Sequence, residues 1–250
     1  MPFITAQLIN QCYYRDEFKL FLVYGPLGVG KSAYSTHVMA EVLGDKIKPD
    51  YKKWIMQVKP NYERVKDFIV FRPQDFVERC WQMCEKGQRE KAIIWDDAGL
   101  WLFAMEFNDP FVKALLKYMN VARTNWGAMI LTTPAPTWVL YKMRSFPQSI
   151  NIKILKRDSE KKPGRVSLQR PRIARAYRSW VAPDFKKQGV RTIYEDHFDA
   201  TMPQDFYEWY KPLRDEYAKE AAMMMKRELR KMSEKLAKEA EQIVETLLNP

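Results

Sequence analysis

Residues 25–32 read GPLGVGKS, a complete phosphate-binding loop of the form G-x-x-x-x-G-K-[ST]. Glycines at the first, fourth and sixth positions let the backbone curl, so that successive N–H groups point at phosphate oxygens. Lys31 would place its charge between the β- and γ-phosphates, and Ser32 offers a hydroxyl to Mg²⁺. A Gly-rich turn without a ligand is the alternative. The pattern predicts a nucleotide site built from Gly25, Pro26, Leu27, Gly28, Val29, Gly30, Lys31, Ser32 and Ala33.

A second motif, which is acidic, supplies the other half of such a site. Residues 92–99 read AIIWDDAG, an apolar run that ends in two carboxylates. Asp96 is predicted to hold Mg²⁺ through water beside Ser32. Asp97 stands where many hydrolysing ATPases place a glutamate that polarises the attacking water, and it is predicted to be the catalytic base. The alternative is that Asp97 only caps the turn that follows.

Two threonines and an arginine are further catalytic candidates. Thr132 and Thr133 end the apolar run of residues 128–133, where a polar group can sense the γ-phosphate or hold water, and Thr133 is favoured. Arg123 is a candidate for a finger that reaches a neighbouring subunit's nucleotide, an interaction worth about 10³–10⁵ in rate. Its alternative role is to neutralise a helix C-terminus. Arg144 is a weaker candidate for the same finger.

The elements around these motifs alternate between strand and helix. Such alternation predicts an α/β fold with a mostly parallel sheet and helices on both faces. The predicted strands are residues 18–24, 68–71, 92–95, 128–133 and 150–156, and the predicted helices are 3–14, 33–43, 73–86 and 110–123. A further helix and a connection are expected within the aromatic stretch 45–66.

Three regions are predicted from the sequence. Residues 1–156 form the nucleotide-binding core, and residues 157–197 form a basic β-rich excursion with strand candidates at 165–169, 173–180 and 190–194. Residues 198–250 form a helical extension. Its apolar residues at 225, 229, 232, 236, 240, 243 and 247 make a heptad-like stripe. This stripe is predicted to pack either on the chain's own core or on a neighbouring chain.

The charge distribution predicts a class of partner, and the cysteine content predicts whether disulfides stabilise the chain. The formal net charge is +11, and residues 151–197 contribute 13 basic against 5 acidic residues. This excess predicts binding to a polyanion such as DNA, although a solvated basic surface is the alternative. The 3 cysteines do not predict a disulfide framework. No signal sequence and no run of about 18 apolar residues is present, which predicts a soluble cytoplasmic protein without a membrane span.

The motifs together resemble a known family. IIWDDAGLWL and GAMILTTPAP, with the loop, resemble the DnaA-like P-loop ATPases of fuselloviruses and related archaeal plasmids, over roughly residues 18–145. The segment 206–217 resembles the family more loosely. The resemblance implies an AAA+-type three-layer sandwich in which the sensing strand lies between the loop strand and the acidic strand. It also implies ATP as the nucleotide, Mg²⁺ as the metal, a homo-oligomer, and a replication role in the host-cell cytoplasm. A helical lid with a second sensor arginine is not found, and the basic β excursion follows instead.

Four functions remain open at this point. The first is a DNA-dependent ATPase that assembles on DNA to initiate replication or load a helicase. The second is a translocase that packages or transfers DNA, with a portal partner in place of a helicase. The third is a small-molecule kinase, and the fourth is a non-hydrolysing switch or scaffold.

Overall fold

The computed structural model describes residues 2–46, 58–147, 149–156, 170–181 and 188–248. The chain divides into two compact units, Met1–Met202 and Pro203–Pro250. The predicted three-region division at 156 and 197 remains a prediction, because residues 157–169 lie outside the described ranges.

The first unit alternates helices and strands along most of its length. Its helices are α1 (Ile4–Tyr14), α2 (Lys31–Val42), α3 (Tyr62–Val65), α4 (Pro73–Lys86), α5 (Pro110–Tyr118) and α6 (Tyr141–Arg144). Its strands are β1 (Lys19–Tyr24), β2 (Asp45–Lys46), β3 (Val58–Lys59), β4 (Ile69–Val70), β5 (Ile93–Trp95), β6 (Ala128–Thr133), β7 (Ser149–Lys156), β8 (Pro171–Val181) and β9 (Gln188–Asp199).

Seven strands form one sheet in the order β4-β5-β6-β1-β7-β8-β9. The first five pair in parallel, and β8 and β9 extend the sheet as antiparallel strands. Strand β6 therefore lies between the strand that leads into the phosphate-binding loop and the strand that ends in acid. The prediction of an α/β P-loop NTPase fold with a mostly parallel sheet is confirmed.

Helices cover both faces of the sheet. On one face, the Trp95 ring on β5 stacks on Phe76 of α4 with ring centroids 4.8 Å apart. On the other, the Tyr194 hydroxyl on β9 lies 2.7 Å from Thr5 Oγ1 on α1. The central strand β1 is buried across Leu20–Val23, as expected for a parallel strand covered on both sides.

One predicted helix is shorter in the structure, and the stretch 45–66 contains a strand pair in addition to a helix. The stretch 45–66 contains the antiparallel pair β2–β3 and the one-turn helix α3, and its residues 47–57 lie outside the described ranges. The helix predicted to reach residue 123 ends at Tyr118, and a 3₁₀ turn at Ala122–Thr124 follows. Asn120 Nδ2 donates to the Lys117 carbonyl at 3.1 Å, so a side chain satisfies a carbonyl at this helix end.

The basic excursion contains a long antiparallel ribbon. Strands β8 and β9 pair over their length, with a register irregularity between Ala176 and Tyr177. They contain the predicted strands 173–180 and 190–194, whereas the predicted strand 165–169 lies outside the described residues.

A buried carboxylate ties this ribbon to the helices of the core. Asp196 on β9 is 4% exposed, and it accepts hydrogen bonds from the backbone N–H groups of Ile4 and Thr5 at 2.7 and 3.3 Å. Thr5 Oγ1 donates to it at 3.0 Å and the Tyr34 hydroxyl at 2.7 Å. Asp196 therefore caps the N-terminus of α1 and holds a side chain of α2.

The second unit consists mainly of helix α7, which runs for 45 residues from Gln204 to Leu248 and contains Pro212. Phe206, Tyr210 and Tyr217 are buried near its start, whereas the large apolar side chains from Met223 to Leu236 are mostly exposed. No helix in the described part of the chain combines the length and apolar character that crossing a membrane requires.

We predict that Asp196→Ala lowers the free energy of unfolding by about 3 kcal/mol, because it leaves two backbone donors and two hydroxyls without their acceptor. Urea denaturation of the full chain measures this loss. The matched control is Glu195→Ala on the neighbouring position of β9, where the partly exposed ion pair with Arg175 contributes little to stability. Similar losses for both variants would contradict a special role for the Asp196 network.

Candidate nucleotide-binding site

The phosphate-binding loop lies between the carboxyl end of β1 and the first residue of α2. Gly30 precedes the helix with a φ of 106°, in the left-handed region that favours glycine. A Cβ at Gly30 would lie 2.7 Å from the Cβ of Ala200, so space as well as backbone conformation requires glycine here. The N–H groups at the start of α2 and the positive end of its dipole then face the loop, which suits an anion.

Lys31 folds back onto the loop that precedes it. Its Nζ donates to the carbonyl oxygens of Gly25 and Pro26 at 3.1 and 3.2 Å, and the side chain is buried. The ammonium group is therefore held beside the cradle formed by the loop, at the position where phosphate oxygens would bind.

A carboxylate and two hydroxyls meet beside the loop. Ser32 Oγ, in the first turn of α2, donates to Asp96 Oδ1 at 3.0 Å. Thr132 Oγ1 on β6 donates to the same oxygen at 2.6 Å, and Asp96 has no exposed surface. Hydroxyl and carboxylate oxygens are ligands that Mg²⁺ prefers, so Ser32 and Asp96 are chemically suited to hold it.

Asp97, the residue after Asp96, has an unusual backbone conformation. Its φ is 50° and its ψ is 35°, a left-handed conformation that is uncommon for a residue other than glycine. Its N–H donates to Thr132 Oγ1 at 2.8 Å, which fixes the turn against β6. Asp97 occupies the N-cap position of the 3₁₀ turn Ala98–Leu100, where its carbonyl accepts from the Leu100 N–H at 3.1 Å, and its side chain makes no capping hydrogen bond to this described turn. Its role as a base remains a prediction.

Thr132, rather than the favoured Thr133, bonds directly to the acidic pair. The Thr133 hydroxyl donates to the Ala135 carbonyl at 3.1 Å and packs against the backbone at Gly99. Strand register explains the difference, because Trp95 pairs with Leu131 and the residue after each is therefore adjacent. The proposed sensing role of Thr133 remains a prediction.

The two arginine candidates do not join this cluster. Arg123 precedes β6 and lies 3.8 Å from Asp16, which precedes β1, so both stand at the amino ends of the strands. The loop follows the carboxyl end of β1, at the opposite edge of the sheet. Arg144 lies at the end of α6, with its guanidinium 5.5 Å from the ring of Tyr141.

An arginine that no sequence motif indicated also contacts the loop. Arg172 Nε on β8 donates to the Val29 carbonyl at 3.0 Å, and its Nη1 donates to the Pro171 carbonyl at 2.8 Å. The contact joins residues 143 positions apart, so no local sequence pattern indicates it. The only available signal is that Arg172 belongs to the basic stretch.

The helix that begins in the loop is fastened to β9 by two further contacts. Burial is the main cause that raises the pKa of Tyr34, whose hydroxyl donates to Asp196. His37 Nε2 lies 2.9 Å from the Asp199 carbonyl and Nδ1 lies 2.7 Å from the Tyr62 hydroxyl. Burial lowers the pKa of His37, so the neutral ring is favoured, with Nε2 as the donor and Nδ1 as the acceptor.

We predict that Gly30→Ala weakens ATP binding at least tenfold, because the new methyl group meets Ala200 and the left-handed backbone is strained. Isothermal titration calorimetry measures the affinity, and urea denaturation measures the accompanying loss of stability. Gly87→Ala is the matched control, since Gly87 has a φ of +57° but no atom within 4 Å of the position that a Cβ would take. Unchanged ATP affinity in Gly30→Ala would contradict this account of the loop.

We also predict that Thr132→Val lowers kcat by about tenfold or more and raises the Mg²⁺ concentration needed for half-maximal turnover. The change removes the hydroxyl that orients Asp96 and accepts from the Asp97 N–H, while the volume stays similar. Thr133→Val is the control for the Mg²⁺ requirement, because its hydroxyl bonds to the Ala135 carbonyl instead. An unchanged Mg²⁺ requirement in Thr132→Val would show that this hydroxyl does not organise the acidic pair.

No protein-family model matches the chain. Among curated proteins, it is 28% identical over 149 residues to "Uncharacterized protein B-251" of Sulfolobus spindle-shape virus 1, covering 56% of this chain and 53% of that protein. The chain thus spans about half the length of the curated relative that it matches.

Three solved structures are similar at low identity. The N-terminal domain of zonular occludens toxin from Neisseria meningitidis is 16% identical, with 76% of this chain and 97% of that chain covered and a TM-score of 0.38. The genome packaging NTPase B204 from Sulfolobus turreted icosahedral virus 2, in complex with ATP-gammaS, is 15% identical, with 69% of this chain and 95% of that chain covered and a TM-score of 0.36. The KaiC-like protein PH0186 from Pyrococcus horikoshii OT3 is 15% identical, with 70% of this chain and 89% of that chain covered and a TM-score of 0.31. The assignment of the P-loop NTPase fold rests on the chain's own strand order, loop and acidic strand.

Proposed function

We propose that this protein is a DNA-dependent ATPase of a mobile archaeal element, a virus or a plasmid, and that it assembles as a multimer on DNA. The observation that carries the proposal is the contact of Ser32 Oγ with Asp96 Oδ1 at 3.0 Å beside a glycine-lined loop. A role in replication initiation or helicase loading follows from the DnaA-like resemblance. The similarity to a spindle-shaped virus protein supports the viral setting.

The residues of the loop fit a nucleoside triphosphate. Loop N–H groups and the start of α2 would bind the phosphates, and Lys31 would exchange its two carbonyl partners for phosphate oxygens. Ser32 and Asp96 would hold Mg²⁺, the Asp96 contact running through water. The metal, when bound, neutralises charge on the β- and γ-phosphates.

Hydrolysis requires a base and an in-line water. In this proposal the Asp97 carboxylate accepts a proton from water as the water oxygen forms a bond to the γ-phosphorus. The bond from that phosphorus to the bridging oxygen breaks, and the bridging oxygen leaves on ADP. Thr132 keeps the Asp97 backbone in place, and Thr133 is proposed to sense the γ-phosphate.

The described part of the basic region offers cations on both faces of the sheet for the DNA backbone. Lys153 on β7 is paired in register with Arg175 on β8, so their side chains share one face of the sheet. Arg178 and Arg191 pair on β8 and β9 and are exposed. They lie on the opposite face, because side chains alternate along β8 and Arg178 is three residues beyond Arg175. Cations spaced along adjacent strands suit phosphates, and binding of this kind weakens steeply with salt.

A DNA translocase for packaging or transfer is the second candidate. The observation that favours it is the antiparallel extension β8–β9, which continues the sheet in the stretch where an AAA+ initiator carries a helical lid. Such a motor would use the same nucleotide site but would form a closed ring with basic residues facing the DNA.

We predict that ATP turnover by the full chain rises at least severalfold with DNA and that the stimulation falls steeply between 50 and 200 mM salt, conditions over which phosphate contacts weaken. Asp97→Asn should keep ATP affinity and lose about 10²–10⁴-fold in kcat, because the base is removed. Lys31→Ala should lose ATP binding. A coupled assay with single- and double-stranded DNA, and calorimetry of both variants, measure these effects.

The controls separate the remaining functions. Lys113→Ala changes an exposed lysine on α5, distant in sequence from the loop and the ribbon, and should leave turnover unchanged. Wild-type turnover in Asp97→Asn would remove Asp97 from the mechanism, and ATP binding without turnover in the wild type would indicate a switch or scaffold. Stimulation by a nucleoside or sugar instead of DNA would indicate a kinase. Displacement of a triplex-forming strand from double-stranded DNA would favour the translocase over the initiator.

A further inference from the structure

The exposed side of α7 is an apolar stripe within a highly charged helix. Met225, Leu229, Met232 and Leu236 are 70, 60, 55 and 57% exposed, and their spacing of 4, 3 and 4 residues keeps them on one side of the helix. Neighbouring positions carry ion pairs within the helix, such as Arg230 with Glu234 at 2.8 Å and Lys231 with Glu228 at 2.6 Å. Four large apolar groups aligned in water on an otherwise charged helix indicate a surface for a partner.

The spacing of the stripe is symmetric about Leu236. The sequence continues it at Ala240, Ile243 and Leu247, so that the whole series of spacings is 4, 3, 4, 4, 3, 4. This series reads the same in both directions along the helix. A two-fold interface requires such self-complementarity, because residue i of one chain must meet residue j of the other while j meets i. Antiparallel pairing about Leu236 would align position 225 with 247, 229 with 243, and 232 with 240.

The charges distinguish antiparallel from parallel pairing. Residues 226–235 contain five basic and two acidic residues, whereas residues 237–246 contain one basic and three acidic residues. An antiparallel pair centred on Leu236 places each basic segment beside the partner's acidic segment. A parallel pair places basic beside basic and acidic beside acidic, which is unfavourable at close range. The opposed helix dipoles also favour the antiparallel arrangement.

From the stripe and the charge pattern, we infer that α7 binds a second copy of this chain as an antiparallel two-helix coiled coil centred on Leu236. The stripe, predicted as heptad-like, repeats strictly every 11 residues, from 225 to 236 to 247, because its next apolar residue after 236 is at 240 and not at 239. An 11-residue repeat corresponds to about 3.67 residues per turn, so the pair is straight or slightly right-handed. This pairing links two nucleotide-binding units through their second units, and it is independent of assembly on DNA.

The test measures the mass of the full chain without nucleotide or DNA, by light scattering at micromolar concentrations. The wild type is expected to be a dimer, and the double variant Leu229→Gln with Leu236→Gln a monomer that retains its affinity for ATP. The matched control is Arg227→Gln with Glu234→Gln, which changes two positions on the opposite side of α7 and leaves the net charge unchanged. It should remain a dimer. A monomeric wild type, or a stripe variant with wild-type mass, would overturn the inference.

Distances between spin labels test the orientation. The labels are placed at Arg227→Cys or Lys238→Cys in a Cys84→Ser background, because Cys84 is the exposed cysteine and Cys12 and Cys80 are buried. In the antiparallel pair the labels are offset along the axis by about 27 Å at position 227 and about 6 Å at position 238, from 1.5 Å per residue. Equal distances at the two positions would indicate parallel helices and overturn the antiparallel arrangement. Because ATP turnover is not part of either measurement, failure of the proposed ATPase function would leave this test intact.

Discussion

The candidate site depends on the hydrogen bonds that two hydroxyls donate to the buried Asp96 carboxylate. A carboxylate without exposed surface is costly to bury unless charge or hydrogen bonds compensate it. Ser32 and Thr132 provide two such donors from α2 and β6, at 3.0 and 2.6 Å. Three elements distant in sequence are therefore held together at one oxygen. A shift of β6 by one residue would turn Thr132 to the other face of the sheet and leave Asp96 with one hydroxyl donor fewer.

The antiparallel extension constrains the same loop from the other side. Ala200, just after β9, fills the space beside Gly30, and Arg172 on β8 holds the Val29 carbonyl. Asp196 on β9 bonds to Tyr34 two residues beyond Ser32. The basic ribbon therefore cannot move against the core without disturbing the loop or the first turns of α2. This coupling gives a physical route by which an anion bound to the ribbon could alter the geometry around the phosphates.

Local motifs in the sequence were sufficient to predict most of the elements around the candidate nucleotide-binding site. A phosphate-binding loop joins a strand to a helix, so its motif predicted both β1 and α2. The apolar run before Asp96 predicted β5 in the same way. Contacts that depend on strand register could not be predicted from the sequence. The choice between Thr132 and Thr133 depends on the pairing of Trp95 with Leu131, which is a property of two strands together. Arg172 lies on β8 and Ala200 follows β9, so both contact the loop only once the later strands of the sheet are in place. Helix α5 ends at Tyr118 rather than at the predicted residue 123.

The direction of the sheet also limits which arginine can act on the nucleotide. β1 has six residues, about 20 Å, and it separates the edge that carries Asp16 and Arg123 from the edge that carries the loop. Arg123 therefore cannot reach the phosphates bound by its own chain, and a catalytic role for it requires a neighbouring copy. Arg172 contacts the outside of the loop through a carbonyl, and this contact would have to break before its guanidinium could turn to the γ-phosphate. If an arginine stabilises the charge that develops during hydrolysis, neither Arg123 nor Arg172 supplies it from its described position within one chain. The proposed assembly would then have to provide Arg123 from a neighbouring copy, and would serve the chemistry as well as the proposed binding to DNA.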